Sequence, residues 1–194
     1  MAQYNTIQII DFLNGFGEDT KNILSDFSCD KNLDIEHFLK NNSIEFAKKK
    51  QSITHLVFDD ENGELVGYFS LTHKPIIIED EILSNKTYNK ISRFAKPDKE
   101  GKYTLSAFLI AQFGKNYSIE KEKQIDGKEL MSLAYNILKE VQYQIGGIVV
   151  FLECEEKKEL LEFYQREPFS FKIFGERISE TDNTKYIQLL SFIK

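Results

Sequence analysis

The sequence has little of several residue types that define whole classes of protein. Tryptophan is absent, and the 194 residues include only two cysteines, three prolines and two methionines. Neither Cys29 nor Cys154 has a second cysteine or a histidine at metal-ligand spacing, so the sequence favours neither a disulfide framework nor a zinc site. We expect both cysteines to be small buried side chains.

Long apolar segments are missing as well. No run of the sequence approaches the roughly 20 apolar residues that a membrane-spanning helix needs. The segment from Met1 to Asn5 lacks the basic start and the apolar core that are typical of a signal peptide. We therefore expect a cytoplasmic protein that has no membrane partner.

Basic side chains are outnumbered, since 25 lysines and arginines stand against 31 aspartates and glutamates, a net charge of −6. This balance opposes broad attraction to nucleic acid. The segment from Asn85 to Tyr103 has the opposite charge balance, because it contains six basic residues and only two acidic ones, Asp98 and Glu100. It is interpreted either as a solvated loop or as a basic surface. The length and the 41% hydrophobic content predict a single domain over residues 1–194.

The centre of the sequence predicts a strand, a loop and a helix. The strand is the apolar run from Leu105 to Phe113, and the helix begins at Gly127, with apolar residues at helical spacing up to Val141. Asp126 is a suitable N-cap, and lysines border the loop. Free backbone N–H groups and the positive end of the helix dipole meet there, so the loop favours an anion such as phosphate.

The remaining elements lie on both sides of this centre. A first helix is predicted within residues 27–39, capped by Asp30 or Asn32, and Pro75 is expected to end a strand or leave it at a sheet edge. The Asn62-Gly63 turn predicts a hairpin, a buried strand follows the central helix beside the central strand, and a second hairpin comes last. The predicted strands are Thr6–Phe12, Thr54–Asp59, Glu64–Thr72, Gly147–Glu153, Phe169–Phe174 and Tyr186–Ile193, with a helix over Lys157–Gln165.

Two of these motifs resemble the GNAT acyltransferases. The sequence Gln124-Ile-Asp-Gly127-Lys-Glu129 is similar to motif A of that family, a Gln/Arg-x-x-Gly-x-Gly/Ala loop that holds the pyrophosphate of acyl-coenzyme A. Glu129 stands where the family has glycine or alanine. The strand sequence Gly67-Tyr-Phe-Ser70 occupies the place of the family's Gly-Tyr-Tyr-Ser-Leu.

Two further stretches extend the resemblance over nearly all of the chain. Phe163-Tyr164, followed by Pro168-Phe169, resembles the family's Phe-Tyr-x-x-x-Gly-Phe signature, with Pro168 in place of glycine. The Phe27-Ser-Cys sequence and the apolar residues after it are similar to the first helix entry of a GNAT subgroup that includes the toxins of bacterial toxin–antitoxin pairs. The resemblance therefore implies a bacterial protein.

The resemblance also implies a fold and a co-substrate. The fold is an α/β three-layer sandwich with a mixed, mostly antiparallel sheet, helices on both faces and a splayed pair of central strands. Acyl-CoA, as acetyl-CoA or another thioester, is expected to enter where residues 110–114 diverge from residues 149–153. The residues implied to bind it are Ile110, Ala111, Gln112, Phe113, Gly114, Lys115, Lys123, Gln124, Ile125, Asp126, Gly127 and Lys128.

The implied chemistry is direct attack of an amine on the thioester. By resemblance, the Phe113 backbone N–H stabilises the oxyanion and the Tyr164 hydroxyl protonates the leaving thiolate, although Tyr164 would also serve as a core residue. Glu153 is a candidate base, and a solvent-facing carboxylate explains it equally well. A Cys154 nucleophile is set aside because the sequence gives it no paired histidine.

The predicted function is transfer of an acetyl or other acyl group from acyl-CoA to a primary amine. A small-molecule or peptide amine is the preferred acceptor, and transfer RNA ranks lower because of the net negative charge. A non-catalytic GNAT-like interaction module is the alternative, since a carboxylate at Glu129 is expected to repel pyrophosphate. A homodimer is left open.

Overall fold

The computed structural model describes residues 3–79, 85–179 and 183–193. Within these ranges no helix is long and apolar enough to cross a membrane. The helices are α1 (Ile9–Phe16), α2 (Asp19–Ser25), α3 (Leu33–His37), a π-helical turn (Phe38–Asn42), α4 (Ser43–Lys48), α5 (Asn85–Ile91), a 3-10 turn (Lys121–Lys123), α6 (Gly127–Ile145) and α7 (Lys158–Gln165). The strands are β1 (Tyr4–Gln8), β2 (Ile53–Asp59), β3 (Leu65–Glu79), β4 (Lys102–Lys115), β5 (Val149–Glu155), β6 (Lys172–Ile178) and β7 (Lys185–Phe192).

The strands form one mixed sheet in the order β1-β2-β3-β4-β5-β7-β6. The pairs β1–β2, β2–β3, β5–β7 and β6–β7 are antiparallel. The central pair β4–β5 is parallel, and its register runs from Ala107 opposite Val149 to Leu109 opposite Phe151. The predicted α/β fold class and both predicted hairpins are confirmed.

The chain divides into two compact units, the first made of Met1–Thr72 and Ile110–Glu140. Its core packs α1, α2 and α4 on β2 and β3 through buried apolar side chains. Phe27 meets the Tyr68 ring edge-on at 5.3 Å between centroids, and the Tyr68 hydroxyl donates a hydrogen bond to the Ile35 carbonyl at 2.6 Å. Other members of this core are Ile9, Phe12, Leu24, Leu39, Ala47, Leu56, Phe58 and Leu65.

The predicted strand over Thr6–Phe12 is wrong in its second half. The strand ends at Gln8, and residues 9–16 form α1. Ile9 and Phe12 are both buried, and a separation of three residues places them on one helix face rather than on one face of a strand. Gly17 then ends the helix with φ of 54°, a conformation that glycine adopts easily.

The helix that the sequence predicts as the first is therefore the third. It is α3, and its cap is Asn32, one of the two predicted caps, whose side chain accepts hydrogen bonds from the N–H groups of Asp34 and Ile35. An N-cap of this type satisfies backbone donors that a helix leaves unpaired at its start. The cap prediction is confirmed, whereas two preceding short helices were missed.

The second unit consists of His73–Leu109 and Val141–Lys194. Its core includes Ile91, Tyr103, Phe151, Phe174 and Leu190. In the sheet, β7 pairs with β5, from Val149 opposite Phe192 to Glu155 opposite Tyr186. The second strand of the C-terminal hairpin, β7, therefore lies inside the sheet, and the first strand, β6, lies at its edge.

Pro75 does not end the strand, because β3 continues through it to Glu79. The pairing of β3 with β2 stops at Leu71, so Pro75 lies beyond the part of β3 that β2 covers, in line with the alternative of an edge position. Ile76 and Ile78 are buried while Ile77 is exposed, so the alternation of a half-buried strand persists beyond the proline. A proline is tolerated at such a position because no bond to β2 requires its missing N–H group.

We expect His55 to make the stability of the protein depend on pH. Its ring is 8% exposed and stacks on Phe69, and burial lowers its pKa to about 4. The unfolded chain takes up this proton near pH 6.5, so stability falls as the pH decreases from about 6.5 to about 4, by up to ~3 kcal/mol. Urea unfolding across this range should show a smaller loss for His55→Gln than for the wild type. A variant that keeps the full loss would contradict the assignment, and exposed His37→Gln is the control.

Candidate active site

The N-terminus of α6 is closed by two acidic side chains. The Lys128 backbone N–H donates to Asp126 Oδ1 at 2.7 Å, and the Asp126 N–H donates to Glu129 Oε2 at 3.3 Å. This reciprocal pair is a capping box, and it confirms Asp126 as the predicted N-cap. Two carboxylates therefore occupy the positive end of the helix, where the sequence predicts a phosphate.

A buried asparagine fixes the loop between β4 and α6. Asn116 is 3% exposed, and its Oδ1 accepts hydrogen bonds from the N–H of Ser28 at 2.9 Å, the N–H of Ser118 at 3.0 Å and the Ser118 hydroxyl at 2.8 Å. Its Nδ2 donates to the Leu65 carbonyl at 2.8 Å. One side chain thus ties the loop to the start of β3 and to the segment before α3.

The end of β4 approaches β3 at two glycines. A Cβ atom at Gly67 would lie 2.9 Å from the Gly114 carbonyl oxygen, and a Cβ atom at Gly114 would collide with Ile35. Both positions therefore need the small size of glycine. The neighbouring Gln112 has a buried Oε1 without a hydrogen-bond partner among the residues that the structure describes.

Tyr164 lies on α7 in the second unit and is 7% exposed. Its ring contacts Phe163 and Phe171 edge-on, at 5.0 and 5.9 Å between centroids. Burial, and then the neighbouring Cys154, raise the pKa of its hydroxyl. This hydroxyl forms no hydrogen bond to a described residue. Tyr164 is therefore a protonated phenol at neutral pH, and its raised pKa makes the hydroxyl a weaker acid than that of an exposed tyrosine.

Glu153 is held by side chains of two other strands, β6 and β7. Its Oε2 accepts hydrogen bonds from Arg177 Nη2 at 2.7 Å and Nε at 3.0 Å, and its Oε1 accepts one from Gln188 at 2.7 Å. Burial raises the pKa of this carboxyl, but the bonds from Arg177 and Gln188 together bring it below its usual range. Such a carboxylate is a weak base, and its lone pairs are already engaged.

Cys154 is poorly suited to nucleophilic catalysis. Burial raises the pKa of its thiol to about 11, so little thiolate exists at neutral pH. Cys29 and Cys154 are both buried and unlinked, as the sequence predicts. Across the described ranges, no group of histidine, cysteine, aspartate or glutamate side chains could hold a metal ion.

The predicted site residues are divided between the two units. Those of the strand, loop and helix, from Ile110 to Lys128, belong to the first unit, and Glu153 and Tyr164 belong to the second. Sequence reasoning missed Asn116 and Arg177, because both act through partners that are distant in the chain. The Asn116–Ser28 bond spans 88 residues and the Arg177–Glu153 bonds span 24.

No protein-family model and no curated protein sequence matches this chain. Solved structures do match it over nearly its whole length. A bacterial toxin aligns with a TM-score of 0.65 and 13% identity over 100% of this chain and 91% of the toxin. AtaT complexed with acetyl-methionyl-tRNAfMet aligns with a TM-score of 0.65 and 14% identity, over 95% and 94% of the two chains.

A third solved structure is AtaTR bound with AcCoA, with a TM-score of 0.60 and 12% identity over 98% of this chain and 93% of that one. At these low identities, the alignments establish the fold. The chain therefore has the fold of the GNAT acetyltransferases, which the resemblance implies.

Proposed function

We propose that this protein is an N-acyltransferase that moves an acetyl or other acyl group from acyl-CoA to a primary amine. The observation that carries the proposal is Tyr164, a buried phenol whose hydroxyl has no partner among the described residues. Its place in the Phe163-Tyr164 sequence resembles the position of the family's general acid. Two of the similar structures contain AcCoA or an acetylated transfer RNA, which supports this reaction class. We further propose a bacterial, cytoplasmic setting, supported by the similarity to a bacterial toxin.

The reaction is a direct transfer. The free amine attacks the thioester carbonyl, a C–N bond forms, and the C–S bond breaks. The Phe113 backbone N–H is our candidate for stabilising the oxyanion. Tyr164 gives its proton to the departing thiolate, and the amine's proton passes to a base or to solvent. Because Glu153 is bonded to Arg177 and Gln188, water is the better immediate acceptor of that proton.

The same residues have a part in coenzyme binding under this proposal. The pantetheine amides bond to the backbone of residues 110–113, and the buried Gln112 Oε1 gains a donor that the described part of the chain does not supply. The polar loop from Lys115 to Lys128, including Lys123, Gln124, Ile125, Asp126 and Gly127, faces the phosphates. A lysine-bordered loop attracts phosphate, whereas the Asp126–Glu129 capping box opposes it.

We expect Glu129→Gln to strengthen coenzyme binding. Glutamine also completes a capping box, so α6 keeps its start while a negative charge is lost. Removing one charge near a helix N-terminus changes the interaction with a phosphate by ~0.3–1 kcal/mol, or roughly twofold to fivefold in Kd. Calorimetry with CoA measures this change, and Glu140→Gln on the exposed end of α6 is the control. An unchanged Kd for Glu129→Gln would place the phosphates away from this carboxylate.

Activity is tested by incubating the protein with acetyl-CoA and a panel of amines. We expect amine-dependent release of the CoA thiol and a product heavier by one acetyl group in mass spectrometry. If no amine releases CoA, and calorimetry detects no binding of millimolar CoA, the enzyme proposal fails. The alternative, a GNAT-like interaction module, then gains support.

Aminoacyl-tRNA is the second candidate acceptor, because the second unit exposes aromatic and basic residues in one segment. Phe94 is 64% exposed and Tyr88 is 39% exposed, and Arg93, Lys96 and Lys99 are exposed beside them in the sequence. Exposed rings stack on unpaired bases, and basic side chains bind the backbone phosphates. Acetylation of charged transfer RNA that falls in Phe94→Ala, while acetylation of small amines persists, would favour this acceptor.

A further inference from the structure

Two lysines of the first unit converge on one aromatic ring. Lys31 Nζ lies 4.6 Å from the centre of the Tyr117 ring, and Lys115 Nζ lies 5.5 Å from it. Lys31 precedes α3, and Lys115 is the last residue of β4. The ring is positioned by the backbone, since the Tyr117 N–H donates to the Ser28 carbonyl at 2.7 Å and the adjacent Asn116 is anchored on both sides.

The two ammonium groups repel each other. Lys115 is half-buried, and its pKa is lowered first by burial and also by Lys31, while Asp126 acts in the opposite direction. Neither lysine forms an ion pair or a hydrogen bond with a described residue. The Tyr117 ring attracts both cations through its face, but it carries no net charge. An anion beside the two ammonium groups would relieve their repulsion.

We propose that Lys31 and Lys115 form a phosphate-binding site against the Tyr117 ring, and that it takes a phosphate group of acyl-CoA. The assignment to acyl-CoA rests on the proposed function. A lysine ammonium is a compact positive charge that suits phosphate. The two ammonium groups would take the place of the backbone N–H groups at the start of α6 as donors to the phosphate. One of those amides, the Lys128 N–H, is already bonded to Asp126.

The test compares wild type with Lys31→Gln, Lys115→Gln and the double variant. Calorimetry measures the Kd for CoA and for pantetheine, which carries no phosphate. We expect each single variant to bind CoA roughly 10- to 100-fold more weakly, the range for losing a charged hydrogen bond to phosphate, with unchanged binding of pantetheine. Lys48→Gln is the matched control, because Lys48 is an exposed lysine of the same unit that pairs with Glu45 on α4.

Inorganic pyrophosphate provides a second readout that does not depend on acyl transfer. We expect it to shift the Tyr117 ring resonances in NMR spectra of the wild type but not of the folded double variant. Equal CoA affinity in all variants would overturn the site and leave the acyltransferase proposal intact. Pyrophosphate shifts without CoA binding would support the site and overturn its coenzyme. Displacement of pyrophosphate by a short RNA but not by CoA would likewise overturn the coenzyme assignment.

Discussion

Tyr164→Phe is expected to lower turnover by about 10² to 10⁴, the usual range for losing a general acid, while the affinity for acyl-CoA stays close to wild type. The phenylalanine ring keeps the edge-on contacts with Phe163 and Phe171, so the site should retain its shape. Only the proton donor is lost. Steady-state kinetics at saturating acetyl-CoA, together with calorimetry for CoA, separate these two effects.

The control for this experiment is Tyr143→Phe, because Tyr143 is 92% exposed at the end of α6 and removing its hydroxyl should change neither quantity. Weak coenzyme binding with near-normal turnover at saturation would show that the Tyr164 hydroxyl holds the ligand instead of protonating the thiolate. Normal values of both would leave Tyr164 as a packing residue.

Asn116→Ala is expected to reduce the free energy of unfolding by about 2–5 kcal/mol. The substitution leaves the Ser28 N–H and the Leu65 carbonyl without their partner, and each unsatisfied buried polar group costs about 1–3 kcal/mol. Urea unfolding measures the loss. Asn89→Ala, at an exposed position of α5, should stay within roughly 0.5 kcal/mol of the wild type.

Asn116→Asp separates the two sides of this bonding network. The aspartate keeps an oxygen for the Ser28 and Ser118 donors, but it offers no N–H to the Leu65 carbonyl and places a charge in a buried position. We expect it to be strongly destabilised as well. A stable Asn116→Asp variant would mean that the Leu65 bond contributes little to the free energy of unfolding.

The sequence is informative where a pattern is local. The strand, loop and helix around Asp126, the Asn62-Gly63 hairpin and the parallel neighbour of β4 follow from side-chain periodicity and turn residues, and the structure contains all of them. The N-terminal error has a local cause too, since the apolar residues near Ile9 fit a strand and a helix alike until their burial is known.

The candidate site was less predictable because its electrostatics depend on side chains that meet only after folding. The sequence presents Glu153 as a free carboxylate, and folding pairs it with Arg177 of another strand. In the same way, Lys31 and Lys115 are far apart in the sequence and meet at one ring. In the sequence, Glu129 is expected to weaken phosphate binding by the loop, yet in the structure its side chain completes a helix cap.

The position of β7 between β5 and β6 affects how the chain can fold while it is being synthesised. β5 is synthesised well before β7, whose residues 185–192 provide its antiparallel partner. Until those residues leave the exit tunnel, one side of Val149–Glu155 keeps unpaired backbone groups next to buried-type apolar side chains. A nascent chain that is stalled before residue 185 is therefore expected to expose an unpaired strand edge, the kind of surface on which strands of other chains pair.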